Sequence, residues 1–137
     1  MIFNKFVEIG RVVYISNGPN KGKLAVVANV VDASKLLVDG PSSGVARSII
    51  SYQDVQLTKF TVPIRVGQRS GNIKKAYDEA DINTKWSQTG WAKRDAAKKI
   101  RAGLNDFQRY KVQKLKQCRN RAIRNEAAKI RKAAKKA

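Results

Sequence analysis

Aromatic and cationic side chains lie close together in the second half of the sequence. Four aromatic residues are interspersed with Lys and Arg there: Trp86, Trp91, Phe107 and Tyr110. Aromatic rings stack on unpaired nucleotides and cations bind phosphate, so this combination is typical of an RNA-contacting surface. Large aromatic side chains are nevertheless more often buried, and that alternative applies to Trp86, Trp91 and Phe107.

The positive charge of the chain is too large to be a by-product of solubility. Lys and Arg total 29 against 10 Asp and Glu, a net charge of +19. Residues 71–137 hold twenty of these cations and six of the acids, which makes a net charge of +14. Such self-repulsion is tolerable when a polyanion neutralises it, and nucleic acid, an anionic membrane and an acidic protein are the candidates.

The predicted RNA ligands combine this charge with the two tryptophans. They are Lys21, Lys23, Arg47, Lys85, Trp86, Trp91, Lys93, Arg94, Lys98, Lys99, Arg101, Arg109, Lys111, Lys114, Arg119, Arg121, Arg124, Arg131 and Lys132.

Catalytic and metal chemistry finds little support in the sequence. Cys118 is the only cysteine and there is no histidine, so the usual zinc sites and Ser-His-Asp or Cys-His pairs cannot be assembled. Asp78, Glu79 and Asp81 are more simply a helix end and a cap. Cys118 is predicted to be a small buried hydrophobe. We therefore predict no catalytic residue, metal, cofactor or small-molecule substrate.

The elements that position these residues change in type near residue 70. Residues 1–70 contain short runs rich in Val, Ile and Tyr, at 7–15, 23–31, 36–39 and 47–52, separated by Gly, Pro, Asn and Ser. Such runs are typical of a small β-barrel. The turn NGPNKG at 17–22 joins the first two strands and places Lys21 and Lys23 near the loop.

Residues 71–137 are predicted to form a basic helical extension, with helices at about 73–80, 85–102 and 106–134. Gly103 marks a helix end, and Asn105 with Gln108 forms a capping box for the last helix. That helix would be roughly 43 Å long. It should project from a barrel of this size and fold fully only against a partner.

Two resemblances extend this interpretation. Residues 7–33, with GPNKGK at 18–23, are similar to the KOW motif of ribosomal and transcription-associated proteins. The blocks FVEIGRVVY (6–14), LVDGP (37–41), ADINTKW (80–86), WAKR (91–94), DFQRYKV (106–112) and RNRAIRNE (119–126) resemble the eukaryotic large-subunit ribosomal proteins numbered fourteen. That family implies an SH3-like KOW barrel, helices embedded in large-subunit ribosomal RNA and neighbouring proteins, and no catalytic activity.

The sequence thus predicts a β-barrel followed by an extended basic helical arm, acting as a structural constituent of the large ribosomal subunit. The expected location is the cytoplasmic ribosome, with a nucleolar or nuclear assembly stage. The alternative is a free KOW-type nucleic-acid-binding regulator or a ribosome assembly factor. A membrane-surface role is disfavoured, because the apolar stripe of the last helix shifts position midway instead of forming one wide face.

Overall fold

The computed structural model describes residues 5–135 of the 137-residue chain, and these divide into two compact units between Gln88 and Thr89. The strands are β1 (Arg11–Ile15), β2 (Leu24–Val30), β3 (Lys35–Gly40), β4 (Val45–Ser51) and β5 (Val55–Thr61). The α-helices are α1 (Ser70–Glu79), α2 (Ile82–Ser87), α3 (Gly90–Ala102) and α4 (Asp106–Ala134). Short 3-10 helices, Pro41–Ser43 and Tyr52–Asp54, precede β4 and β5.

The first unit is built on one antiparallel sheet. Its strand order is β4-β3-β2-β1-β5, so β4 and β5 are the edges of an open, barrel-like sheet. The pairs Val13 with Ala25 and Leu37 with Ile49 show the register. Fold class is confirmed: a β unit comes first and basic α-helices follow. The SH3-like type of barrel stays a prediction.

β-Branched residues fill the core of this unit, because they pack well on a pleated sheet. The core cluster consists of Val13, Ile15, Ala25, Val27, Leu36, Val38, Val45 and Val55. The whole of β1 is buried, and α1 packs against β3 and the Pro41–Ser43 turn. Helix α1 therefore covers part of the sheet in addition to the core cluster that the strands form themselves.

Helical residues belong to the first unit as well, which differs from the predicted division at residues 70 and 71. Ile73, Tyr77 and Ile82 are buried, so α1 and α2 complete this unit. The Tyr77 hydroxyl donates a 2.8 Å hydrogen bond to Asn83 Oδ1. Burial raises the pKa of Tyr77 above its ordinary value of 10.0.

The helix bounds also differ from the sequence prediction in two places. Helix α1 begins at Ser70 rather than near residue 73. The single helix predicted at 85–102 is two helices, because the Thr89 side chain caps α3 by accepting a 3.2 Å hydrogen bond from the Ala92 amide. The cap residue itself has an extended backbone, so α2 cannot continue through Thr89 and α3 begins after it.

The second unit consists of α3 and α4. Asn105 and Gln108 form the capping box predicted for α4: the Gln108 amide donates to Asn105 Oδ1 at 2.8 Å and the Asn105 amide to Gln108 Oε1 at 3.1 Å. Within the described ranges 90–102 and 106–134, no residue is buried. Across residues 5–135, none of the helices is both long and apolar enough to cross a membrane.

Candidate nucleic-acid interface

The turn between β1 and β2 presents one of the predicted cations to solvent. Gly18 and Gly22 both have positive φ, and the Lys21 amide donates to the Gly18 carbonyl at 3.1 Å, which closes the turn. The Lys21 side chain is exposed. Lys23 is exposed too, but its ammonium donates to Asn20 Oδ1 and the Gly44 carbonyl, both at 3.2 Å. Lys21 is therefore better placed than Lys23 to bind a phosphate.

Arg47 is tied into the first unit. Its Nη1 donates to the Gln68 carbonyl at 2.9 Å, and its Nη2 donates to the Gly67 carbonyl at 3.4 Å. Nη1 also lies 4.0 Å from Oδ2 of Asp39, a carboxylate only 2% exposed. Asp39 accepts a hydrogen bond from the Ser70 hydroxyl at the start of α1. Arg47 thus fastens β4 to the connection between β5 and α1, a contact that sequence spacing does not reveal.

Trp86 is a packing residue of the first unit. It is half-buried and stacks on Tyr14 of β1, with 5.7 Å between ring centroids and 28° between the planes. This geometry agrees with the burial alternative for Trp86 rather than with an open platform for a base. Its neighbour Lys85 is exposed, but its ammonium donates to the Ala80 carbonyl at 2.6 Å.

The predicted cations of α3 are all exposed. They are Lys93, Arg94, Lys98, Lys99 and Arg101. Lys99 pairs with Asp95 at 3.1 Å, and Arg94 Nε donates to the Gly90 carbonyl at 3.1 Å. Both contacts lie on the exposed surface of one helix, and an ion pair such as that of Lys99 contributes only about 0.3–0.5 kcal/mol there. A phosphate can replace them at little cost. Trp91, in the same helix, is half-buried.

Helix α4 carries eight of the nineteen predicted ligands, and all eight are exposed: Arg109, Lys111, Lys114, Arg119, Arg121, Arg124, Arg131 and Lys132. The helix holds ten Lys and Arg against Asp106 and Glu126, a net charge of +8. The prediction omitted Lys116 and Lys129, which are equally exposed, although Lys129 pairs with Glu126 at 2.8 Å. Both lysines lie in the same cationic stretch of sequence as the predicted ligands, and this position alone could have added them to the set.

Two residues of α4 are placed differently from their prediction. Cys118 was expected to be buried on an apolar face, yet it is exposed. Phe107 was expected to pack, yet 62% of it is exposed, and Tyr110 is 53% exposed. The reason is common to both: α4 buries none of its described residues, so its apolar positions face solvent.

The aromatic rings of α4 are each covered by a lysine one turn further along. The Lys111 ammonium lies 4.3 Å from the Phe107 ring centroid, and the Lys114 ammonium lies 5.3 Å from that of Tyr110. Both distances fall within the range of cation–π attraction. This part of α4 therefore presents ring and ammonium together.

An open groove lies between α3 and α4. It has a volume of about 650 Å³ and is lined by Ala97, Ile100, Arg101, Leu104, Arg109 and Val112. Its lining is mostly apolar and includes two arginines, Arg101 and Arg109. Such a groove suits a partner that brings both apolar surface and negative charge.

Three carboxylates of the first unit accept hydrogen bonds from hydroxyl groups of the same unit. Asp78 accepts from the Ser42 hydroxyl at 2.9 Å, and Asp81 accepts from the Thr84 hydroxyl at 2.8 Å. Hydrogen bonds from Ser34, first its hydroxyl and then its amide, lower the pKa of Asp32. In the part of the chain that the structure describes, no group of three His, Cys, Asp or Glu side chains could hold a metal ion.

A small β-sheet unit followed by exposed, strongly cationic helices defines a class of basic proteins suited to association with a polyanion. Comparison with known proteins makes this specific. The family described as Ribosomal protein L14 matches residues 46–120. Large ribosomal subunit protein eL14 of Schizosaccharomyces pombe is 40% identical over 131 residues, which cover 96% of this chain and 98% of that protein.

Other relatives extend the match across the chain. The eL14 protein of Lumbricus rubellus is 43% identical over 136 residues, covering 99% of this chain and 90% of the relative. That of Tetrahymena thermophila is 43% identical over 117 residues, which cover 85% of this chain and 91% of the relative. The chain belongs to the ribosomal protein L14 family. This membership confirms the resemblance to the large-subunit ribosomal proteins numbered fourteen and the prediction that the chain is not an enzyme, whereas the KOW motif stays a prediction.

Proposed function

We propose that this chain is a structural constituent of the large ribosomal subunit, in which it binds and stabilises folded ribosomal RNA, contacts neighbouring ribosomal proteins and supports subunit assembly. Its relatives carry the name large ribosomal subunit protein, which supports the assignment to that particle. One observation supports the RNA-binding role above all: α3 and α4 expose every cation predicted for them and bury none of their described residues.

The charge of α4 is matched to a polyanion that surrounds the helix. A net charge of +8 over 29 residues amounts to one positive charge per roughly 5 Å of a helix about 43 Å long. Successive residues turn by about 100°, so Arg109, Lys111 and Arg119 point in directions about 80–160° apart. A flat surface on one side of the helix could not face both Arg109 and Lys111, which point about 160° apart, whereas RNA segments on several sides could reach both.

Stability considerations favour the same role. A helix with no buried residue gains little from tertiary packing, the usual source of helix stability in proteins. Phosphate contacts would remove the repulsion between its cations and order the helix as it binds. Recognition would then rest on phosphate position and RNA shape, because the deep major groove of A-form RNA hides the base edges.

The first unit would dock beside the same RNA. Lys21 is its best placed phosphate ligand, whereas Lys23, Arg47 and Lys85 make hydrogen bonds within the unit and Trp86 stacks on Tyr14. We propose that these four mainly shape the docking surface. The protein would act in cytoplasmic ribosomes after an assembly stage in the nucleolus or nucleus.

Sucrose-gradient fractionation of the full-length protein after a high-salt wash tests the proposal. A constituent of the subunit is expected to stay with large-subunit particles. A free KOW-type regulator or a loosely held assembly factor would move to the top of the gradient, and that result would overturn the structural role.

RNA affinity measured against salt concentration tests the phosphate contacts. Replacing Arg109, Arg119 and Arg124 together by Gln should flatten the plot of log affinity against log salt by about 0.7–0.9 for each phosphate that α4 no longer neutralises. Replacing Lys129 by Gln is the matched control and should change the slope least, because Lys129 already pairs with Glu126. Equal slopes for the wild type, the arginine variant and the control would contradict phosphate binding by α4.

A further inference from the structure

The first two turns of α4 hold two exposed aromatic rings, each beside a lysine. Phe107 and Tyr110 are both more than half exposed, and each ring has a lysine ammonium over it. Phosphate binding requires only the lysines. The exposed rings therefore call for a ligand that also offers a flat apolar face.

The spacing of these groups fits consecutive nucleotides. Phe107 and Tyr110 are three residues apart, which places them about 4.5 Å apart along the axis and about 60° apart around it. The Cα atoms of Lys111 and Lys114 lie one turn, or about 6 Å, further along the axis than those of Phe107 and Tyr110, and their side chains reach back over the rings. A ring has two faces, so an ammonium over one face leaves the other for a base.

Charge on this side of α4 favours a nucleic acid. At helical spacing the side that carries Phe107 and Tyr110 continues through Lys111, Lys114 and Arg121. Asp106 lies at the edge of this side, one turn before Tyr110, so the cations there still outnumber the acid. Bases in a duplex are stacked on one another, so only unpaired nucleotides can offer their faces to side chains. The stacked pair of Trp86 and Tyr14 belongs to the first unit and is not part of this site.

We propose that Phe107, Tyr110, Lys111 and Lys114 form a binding site for two unpaired RNA nucleotides. The rings stack on the bases and the two lysines contact the adjoining phosphates. This site rests on the proposed RNA-binding function and adds to it a specific preference of this one helical segment for single-stranded over double-stranded RNA.

The test compares two RNA probes with the full-length protein. One probe is a hairpin whose unpaired loop contains 2-aminopurine, and the other is the same stem as a blunt duplex. The variant Phe107→Leu with Tyr110→Leu keeps apolar bulk and helix propensity but removes both rings. The matched control, Ile123→Ala with Ile130→Ala, removes two exposed apolar side chains from the same helix without touching a ring.

The leucine variant should bind the hairpin at least about tenfold more weakly, with the salt slope of binding unchanged, because stacking is lost and no cation is removed. Its duplex affinity and far-UV circular dichroism should equal those of the wild type. Quenching of 2-aminopurine should occur with the wild type and the isoleucine control but not with the leucine variant.

Failure of this site and failure of RNA binding give different results. If the wild type binds neither probe, the proposed function itself falls. If the wild type binds both but the leucine variant binds the hairpin equally well, only the nucleotide site is overturned, and the rings are left to cover a protein neighbour. A loss of equal size on hairpin and duplex would also overturn the site, because it would show no preference for unpaired bases.

Discussion

Replacing Arg47 by lysine separates its structural contacts from the RNA contact predicted from sequence. Lysine keeps the positive charge, so a purely phosphate-binding residue would tolerate the change. It lacks the planar fork of donors with which Arg47 reaches two carbonyl groups and approaches Asp39. If the structural contacts dominate, the Arg47→Lys protein is therefore less stable although its net charge is unchanged.

The size of the effect depends on the hydrogen bonds of Arg47 and their exposure. The 2.9 Å hydrogen bond to the Gln68 carbonyl has a charged donor, and such bonds contribute about 1.5–3 kcal/mol. The side chain of Arg47 is 33% exposed, which screens the contact, and the 4.0 Å approach to Asp39 is at the limit of an ion pair. We expect Arg47→Ala to cost about 2 kcal/mol and Arg47→Lys about 1 kcal/mol. For a domain of this size, 2 kcal/mol lowers Tm by roughly 8–16 °C.

Trp86 supplies the probe for this unfolding transition, because its stacking on Tyr14 depends on the folded first unit. A Trp91→Phe background removes the other tryptophan, so fluorescence then reports on Trp86 alone. Urea denaturation is recorded for Arg47→Lys, Arg47→Ala and the control Lys21→Ala. The control lies in an exposed turn and should change the free energy of unfolding by less than about 0.5 kcal/mol.

RNA affinity is measured on the same proteins under conditions where all are folded. Arg47→Lys should bind RNA as the wild type does, whereas Lys21→Ala should bind more weakly. The structural role of Arg47 is refuted if Arg47→Lys and Arg47→Ala unfold at the wild-type urea concentration while Arg47→Ala binds RNA more weakly. That combination would make Arg47 an RNA ligand that does not stabilise the fold.

Three further changes test individual features of the fold. Burial raises the pKa of Tyr77 in the folded protein, so as pH rises the phenol ionises in the unfolded chain before it does in the folded one. The free energy of unfolding of the wild type should therefore fall above about pH 10. In urea denaturation, Tyr77→Phe should lack this fall. Gly10→Ala should cost at least about 2 kcal/mol in thermal denaturation, because φ is +85° and the new Cβ would lie 2.0 Å from a backbone carbonyl oxygen. Gly18→Ala, at φ +86° with open space around it, should cost less. Asn105→Ala should cost about 1 kcal/mol of helix stability by removing the cap of α4, seen as lower far-UV circular dichroism without RNA. Asn125→Ala, in the middle of the same helix, should not lower it.

Local patterns in the sequence predicted much of the fold. Short runs of β-branched residues separated by turn residues indicated the strands, because the strand period and turn chemistry are local properties. The Asn105 and Gln108 pair indicated the start of α4 for the same reason. The prediction placed one helix at 85–102, because no sequence signal that it used marks the cap at Thr89, which separates α2 from α3.

Contacts between distant residues were beyond sequence reasoning. Arg47 donates hydrogen bonds to the carbonyl groups of Gly67 and Gln68, about twenty residues further along the chain. Trp86 stacks on Tyr14, although the two residues lie near opposite ends of the first unit's sequence. Nothing in their sequence neighbourhoods indicates these partners. The exposure of Cys118 and Phe107 was missed for a different reason: apolar periodicity predicts a face, but burial also requires something for that face to pack on.

RNA binding is expected to stabilise helix α4. Hydrogen exchange of backbone amides in the full-length protein, with and without large-subunit ribosomal RNA, tests this expectation most directly. We expect the amides of α4 to exchange far faster than those of β1 and β2 in the free protein and to become strongly protected when RNA is bound. Protection of α4 as strong as that of the sheet without RNA, or no gain when RNA saturates the protein, would contradict this role for the helix.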